Sequence, residues 1–425
     1  MINIKLTHWC WLLWAVCYTP TLLAQQPSSL SLEDCYTMAE ENYPLVKQLD
    51  LIKKSTQYSI SNAAKGSLPQ LTIAGQATYQ SDVTEVPFAL PEADIEPISQ
   101  DQYKIYGEVV QPITNLRTVQ QNKQLIEANA EVEEQQVAVE LYKVRERINQ
   151  IYFGALLLDT QIEQTALLQK DIEIGIDNTK TAIDNGTALP TNLSLLEAEM
   201  LATEQKIIDL NATRQGYLDM LGLFIKQSLP ANTQLEKPAP VTMTGDIQRK
   251  ELQLYELQKR SLDIQDKMIN TKNMPNLSLF FQGGYGRPAL NLLSNEFEAY
   301  YIGGIRLQWN VANLYTKSKE QKILSLNQEI IETQRETFLL NTNITLQQQS
   351  SEIDKYQRLI QSDEEIIKLR EEIKETSQKQ LALGTITSND YLSYVNAADK
   401  ARQNLLLHET QLLMAQYQYQ TTRGN

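Results

Sequence analysis

The sequence is poor in the residues that build catalytic centres. It holds 2 His and 3 Cys in 425 residues, and two of the cysteines, Cys10 and Cys17, fall within the first 24 positions. Beyond that point only His408 and Cys35 remain. One histidine and one cysteine cannot supply a triad or a His/Cys metal cluster, and a lone cysteine forms no internal disulfide. No catalytic residue, no metal ligand and no cofactor are therefore expected, and His408, on a helical seam, is expected to pack. Long apolar runs are missing as well. After residue 24 no uncharged apolar stretch reaches eighteen residues, and the mean hydropathy is −0.37, which excludes α-helical membrane spans in the mature chain. Basic charge is in deficit, with 38 Lys+Arg against 52 Asp+Glu and a net charge of −14, so no nucleic-acid partner is expected.

What is present begins with a leader. Lys5 precedes an apolar stretch from Trp9 to Val16, and Leu22-Leu23-Ala24 runs into polar Gln25-Gln26-Pro27-Ser28. Residues 1–24 read as a cleaved secretory signal. Its loss removes one Lys and no acid, taking the net charge from −14 to −15. A lipoprotein reading would acylate Cys17, but Val16 stands where a small residue is required.

The remainder is written twice. PQLTIAGQATYQ at 69–80 is answered by PNLSLFFQGGYG at 275–286, an offset of 206. From there the offset is 198: Tyr103 matches Tyr301, Asn115-Leu116 matches Asn313-Leu314, and Gly186-Thr187 matches Gly384-Thr385. The change of 8 makes the loop after the first strand longer than its counterpart. Pro230, Pro238 and Pro240 separate the copies. The expected organisation is a first repeat over 25–229, a linker over 230–246 and a second repeat over 247–425. The first repeat comprises an N-terminal helix, strands 69–80 and 103–113, a long helix 115–186 and a return helix 189–229. The second comprises a helix 247–273, strands 275–286 and 300–311, a long helix 313–384 and a return helix 388–420.

Strict alternation identifies the strands. Leu71, Ile73, Gly75, Ala77 and Tyr79 share one face against Thr72, Ala74, Gln76, Thr78 and Gln80. Tyr103, Ile105, Gly107 and Val109 oppose Gln102, Lys104, Tyr106 and Glu108. In the second copy Leu277, Leu279, Phe281 and Tyr285 oppose Ser278, Gln282 and Gly284, while Tyr301, Ile305, Leu307 and Trp309 oppose Arg306, Gln308 and Asn310. Alternation alone fits a water-soluble sheet with one buried face and a membrane strand equally. The terminal aromatics Tyr79, Tyr103, Tyr285, Tyr301 and Trp309 suit a membrane-interface girdle, and the strand lengths suit a tilted span.

After each strand pair the period changes to 3.5. From Val137 to Ile183 fourteen positions advance by alternate steps of four and three, and 11 of them are apolar, which marks a left-handed coiled-coil seam. Leu339, Leu346, Ile353, Ile360, Ile367 and Leu381 hold the second seam, with polar residues between them and a weaker, wetter packing expected. A continuous helix from Asn115 to Gly186 would run roughly 105 Å. Glycine at both ends suits a left-handed cap, Pro190 suits the first turn of a return helix, and Ser388-Asn389-Asp390 offers capping groups and negative charge at the other.

Four lipid-facing strands cannot close a barrel, since open edges are not tolerated in hydrocarbon. Two chains would give eight strands around a filled interior, and three would give twelve around a lumen. Taken in order, the leader, the duplicated strand pairs, the acidic loop 81–102, the junctions VVQPITNL and LQWNVANL, and the tips NGTALPTNL and LGTITSNDYL resemble the TolC family of outer-membrane efflux and secretion channels. The resemblance covers essentially the whole mature chain. It implies a mixed α/β fold in which each chain contributes four strands to a trimeric twelve-stranded transmembrane β-barrel continued by a periplasmic α-helical barrel. It further implies an outer-membrane exit duct extending into the periplasm, with outer-membrane lipid, a periplasmic adaptor (membrane fusion protein) and an inner-membrane pump as partners in tripartite efflux or type I secretion.

By the same resemblance Leu383-Gly384-Thr385 and, in part, Asn185-Gly186-Thr187 are adaptor-contact tips, with a plain hairpin cap as the alternative for the glycines. Asp390, six residues after Gly384, matches an aspartate ring that constricts the pore. Its alternative role is stabilising a helix N-terminus. A second family aspartate is Ser393 here and a gating arginine is Ile386, so that closed-state network is not carried over. The competing functions are a periplasmic adaptor, which would need one hairpin flanked by compact β domains, and a coiled-coil scaffold, which leaves the paired strands without a purpose.

Overall fold

A computed structural model describes residues 29–84 and 98–424. The leader over 1–24 and the central part of the acidic loop lie outside the described residues. Strand β1 (Ser29–Leu30) precedes helix α1 (Leu32–Asn42), which opens on a capping box: the Ser31 hydroxyl accepts from the Asp34 backbone N–H at 3.2 Å, and the Asp34 carboxylate accepts from the Ser31 N–H at 3.4 Å. One N-terminal helix was expected and two are found. Pro44 disfavours helical geometry at Tyr43, which is extended with ψ 132°, and the chain restarts as α2 (Val46–Ala64).

The strands β2 (Gln70–Tyr79) and β3 (Asp101–Pro112) lead into α3 (Leu116–Asp184), 69 residues long, and α4 (Pro190–Ile225) returns over 36 residues. Short β4 (Gln234–Leu235) and α5 (Lys250–Lys272) follow. Then β5 (Asn276–Arg287) and β6 (Glu298–Gln308) lead into α6 (Leu314–Ala382), again 69 residues, and α7 (Ser388–Arg423), again 36. Sixty-nine helical residues span about 104 Å.

Helix α3 is the spine. Its first half packs against α2 and α5, its second half against α4 and α7, and α6 closes the other side against α5 and then α7. All fourteen positions of the 3.5-residue seam are buried or half-buried. Two apolar clusters pin the helices. At mid-length Val144, Ile148, Tyr152, Phe153 and Leu156 meet Cys35 and Tyr36 of α1, Leu218 and Leu221 of α4, and Leu413 of α7. Burial raises the Cys35 thiol to about 12, so this cysteine is a packed apolar group and not a nucleophile. Nearer the far end Leu168, Ile172 and Ile176 meet Leu196, Leu381, Tyr391 and Val395.

The segment 230–246, expected as a plain linker, is a strap bound to the body. β4 pairs in parallel with β1, matching Ser29 to Gln234 and Leu30 to Leu235. The Tyr152 hydroxyl reaches the carbonyls of Leu30 at 2.8 Å and Glu236 at 2.7 Å. Buried Arg214 pairs with Asp159 and donates to the Ala231 and Thr233 carbonyls at 2.7 and 2.6 Å. Proline kept this stretch out of helix, but its carbonyls are anchored.

The four long strands form one antiparallel sheet in the order β2-β3-β5-β6. Tyr152→Phe should loosen the strap, because removing a buried hydroxyl donor costs about 1–3 kcal/mol. Hydrogen exchange should speed up at residues 29–30 and 234–236 while the far cluster around Ile172 stays protected.

Candidate functional site

The register of the sheet gathers the alternating apolar positions read from the sequence on one face. Leu71 lies opposite Val109, Ile73 opposite Gly107 and Gly75 opposite Ile105. The row continues with Ile105 opposite Tyr285 and Val109 opposite Phe281, then Leu277 opposite Leu307 and Leu279 opposite Ile305. This face is bare: Ile73 is 75% exposed, Ile305 67% and Leu307 68%. Among the described residues no helix packs across the sheet. An uncovered apolar surface of this extent marks an interface with lipid or protein.

Its aromatics sort by height. Tyr79, Tyr103, Tyr285 and Tyr301 stand at the end remote from the helices, where Phe297 stacks on Tyr285 with centroids 5.8 Å apart and lies 6.3 Å from Tyr103. Trp309 stands at the helix end, its indole N–H donating to the Asn273 carbonyl at 3.1 Å. From Tyr301 to Trp309 is eight residues, about 27 Å along the strand by strand rise, which at a tilt of about 35–45° covers roughly 20 Å of depth, most of the ~25 Å apolar band of an outer-membrane barrel. Phe297 escaped the sequence reading because it sits in the loop before β6, outside any alternation. The opposite face is polar, with the Arg306 guanidinium paired to the Glu108 carboxylate at 2.9 Å.

At the far end of the helices both turns close in the same way. Gly186 and Gly384 have φ +69° and +70°, the left-handed region that a residue with Cβ enters at a cost of about 1–2 kcal/mol. The Thr187 and Thr385 N–H groups bond back to the carbonyls of Ala182 and Gln380 at 2.8 and 2.9 Å, while the Gly186 and Gly384 N–H groups reach Ile183 and Leu381, both at 2.9 Å. This is the Schellman arrangement at each tip. The two tips touch, since a Cβ on Gly384 would stand 3.9 Å from that of Thr187, with no clash at either glycine. Conformation and not space requires glycine here. Leu383 at the apex is 78% exposed, and Asn185 precedes Gly186 as the C-cap of α3.

The cap of α7 differs from the sequence reading. Thr387, not Ser388, is the N-cap, and Asp390 closes a capping box with it. The Asp390 carboxylate accepts from the Thr387 hydroxyl at 2.6 Å and N–H at 3.0 Å. These bonds hold its pKa below the ordinary carboxylate value. Ser388 turns inward and meets the Thr179 hydroxyl at 3.3 Å.

Behind the tips lies a polar knot that the sequence reading left as a wet seam. Lys374 is buried between Asp171 of α3 at 2.9 Å and Glu371 at 3.1 Å. Arg402 of α7 holds Glu371 at 2.5 Å, and the Tyr391 hydroxyl donates to the Asp171 carbonyl at 2.8 Å. Lys374 occupies the heptad slot between Ile367 and Leu381, and that missing apolar step was the available signal. Higher up, His408 packs on α6 and bonds Asp363 at 2.6 Å. No group of three or more His, Cys, Asp or Glu that could hold a metal occurs among the described residues.

No protein-family model matches the sequence, and no curated protein does. Solved structures do. The outer-membrane channel OprN aligns with a TM-score of 0.65 at 11% identity over 92% of this chain and 89% of its own. The CmeC outer-membrane channel of Campylobacter jejuni gives 0.63 at 10% identity over 92% and 85%. The open state of the MtrE outer-membrane channel of Neisseria gonorrhoeae gives 0.56 at 12% identity over 92% and 89%. This chain has the fold of the TolC-type outer-membrane channels. The resemblance read from the sequence therefore holds at the level of the fold.

The Asp390 cap carries a pH signature. A depressed carboxylate pKa contributes stability above the unfolded value of about 3.9 and loses it as pH falls through the folded value. Protection of the amides at the start of α7, taken relative to the intrinsic exchange rate at each pH, should therefore fall below about pH 4, and Asp390→Asn should abolish that pH dependence.

Proposed function

We propose that the chain is the outer-membrane exit duct of a tripartite efflux system, a duplicated protomer that passes solutes from a periplasmic adaptor and inner-membrane pump to the exterior. The observation that carries this is the bare apolar sheet face, bounded by aromatics about 27 Å apart by strand rise and continued by helices of about 104 Å. A periplasmic adaptor or a coiled-coil scaffold has no use for such a face. The fold shared with outer-membrane channels supports the placement in that membrane.

The oligomer follows from the edges. β2 and β6 end the sheet, and unpaired edges are not tolerated in hydrocarbon, so β6 of one copy pairs with β2 of the next. Two copies give eight strands around an interior filled by side chains, and three are the smallest ring with an open bore. The helical layer is open in the same sense: Leu201 and Ile208 on α4 and Leu340 and Ile344 on α6 are exposed and seat against the neighbouring copies.

The tips Asn185, Gly186, Thr187, Leu383, Gly384 and Thr385 form the adaptor-facing end. Asp390, one turn into α7, lies where three copies converge on a constriction. Capping and constriction are compatible roles, because the cap engages one carboxylate edge. Selection of solute rests with the pump.

Crosslinking of the purified protein in detergent should saturate at three chains, and saturation at two or four would reject the assembly. Gly384→Val should keep the trimer and the barrel while impairing adaptor crosslinking and export, since the strain of about 1–2 kcal/mol falls at the tip alone. Normal export in that variant would remove the docking role.

A further inference from the structure

The polar face of the sheet carries two aromatic–glycine pairs on directly opposed residues of β5 and β6. Gly284 lies opposite Tyr300, and Phe280 opposite Gly304. In both the ring leans across the glycine. A Cβ on Gly284 would stand 2.8 Å from Tyr300 Cζ, and one on Gly304 would stand 3.3 Å from Phe280 Cε1. The Cβ at 284 would also meet the Ile105 carbonyl oxygen at 2.7 Å and Tyr106 Cβ at 2.8 Å, so glycine at 284 serves a close approach on both sides, to β3 and to the Tyr300 ring.

The two rings differ in what covers them. The Arg306 guanidinium sits 4.5 Å from the Phe280 ring centroid and is held there by Glu108 at 2.9 Å, so the open face of that ring is taken. Tyr300 has no cation or second ring over it among the described residues, and it is half-exposed. Its hydroxyl accepts a hydrogen bond from the Gln282 amide at 3.3 Å, which fixes the ring across Gly284. Tyr106, on the other side of Gly284 in the same cross-strand row, completes an aromatic–glycine–aromatic step on β3, β5 and β6.

We propose that Tyr300, supported by Gly284 and flanked by Tyr106, is a stacking subsite for planar aromatic solutes on the barrel wall. A ring held across a glycine with one face open to water offers what a flat π-system binds, and stacking tolerates varied solutes because each has a π-face. With three copies the subsite occurs three times at one height, forming a belt along which aromatic solutes pass. The inference rests on the exit-duct reading, which turns this polar face to the lumen. It adds a solute class that the duct retards by contact, whatever the pump selects.

Single-channel recording in a planar bilayer tests it, with 9-aminoacridine as the planar aromatic probe and tetrapropylammonium as a non-aromatic cation. Wild-type channels should show resolved blocking events with 9-aminoacridine. Tyr300→Leu should shorten the block at least about fivefold, the lower end for loss of one aromatic platform, Tyr300→Phe, which keeps the ring and loses only the bond from Gln282, should shorten it less than Tyr300→Leu does, and tetrapropylammonium should give no block that depends on residue 300. Absence of block in the wild type, equal dwell times in wild type and Tyr300→Leu, or equal block by both cations would overturn the subsite while leaving a conducting channel in place. If the wild-type protein conducts no current, the duct reading fails and the subsite falls with it.

Discussion

The structure depends on one unpaid contact: an antiparallel sheet whose apolar face is covered by no helix or second sheet among the described residues. A soluble protein cannot leave Ile73, Ile305 and Leu307 in water together at two-thirds exposure or more. On the proposed exit-duct reading, hydrocarbon satisfies that face but forbids the open edges β2 and β6, and both demands are met together when copies close into a ring. The same reading would give the helices the ring's symmetry, with α3 as the spine of each copy and the exposed apolar residues of α4 and α6 turned to the neighbours.

Much of the architecture was legible because two periods are hard to confuse. Alternation at Leu71, Ile73 and Gly75 can only be a strand, and steps of three and four from Val137 to Ile183 can only be a helical seam. What was illegible lay where short-range chemistry acts. Pro44 divides the first helix through the geometry it imposes on Tyr43. The β1–β4 strap is two residues on each side and has no period at all. Thr387, Ser388 and Asp390 are all capping residues, so composition could not rank them, and geometry assigned the cap to Thr387. The apolar face itself was ambiguous in sequence, since a buried face and a lipid-facing one alternate identically; only the absence of a covering layer separates them.

The candidate site was legible in part for a related reason. Gly186 and Gly384 stood out as terminators, and their positive φ values give the physical ground for glycine. The knot of Asp171, Glu371, Lys374 and Arg402 was read as weakness in a seam. Buried charges in a heptad slot are costly to leave unpaired, so a lysine at 374 already required acids nearby, which the facing α3 supplies as Asp171 and its own helix as Glu371. The far end of the helices is therefore joined by ion pairs as well as by the cluster around Ile172, whereas the middle is joined by Ile148, Tyr152 and Leu218.

The central claim is that the odd-numbered residues of β5 face lipid and the even-numbered ones face the bore. Single cysteines at positions 278 to 285, introduced in a Cys35→Ser background and spin-labelled in reconstituted vesicles, measure this directly. The account predicts that collisional access to oxygen peaks at 279, 281, 283 and 285 while access to a water-soluble nickel chelate peaks at 278, 280, 282 and 284. Uniform access to the chelate along the strand, or alternation with the opposite phase, would contradict it.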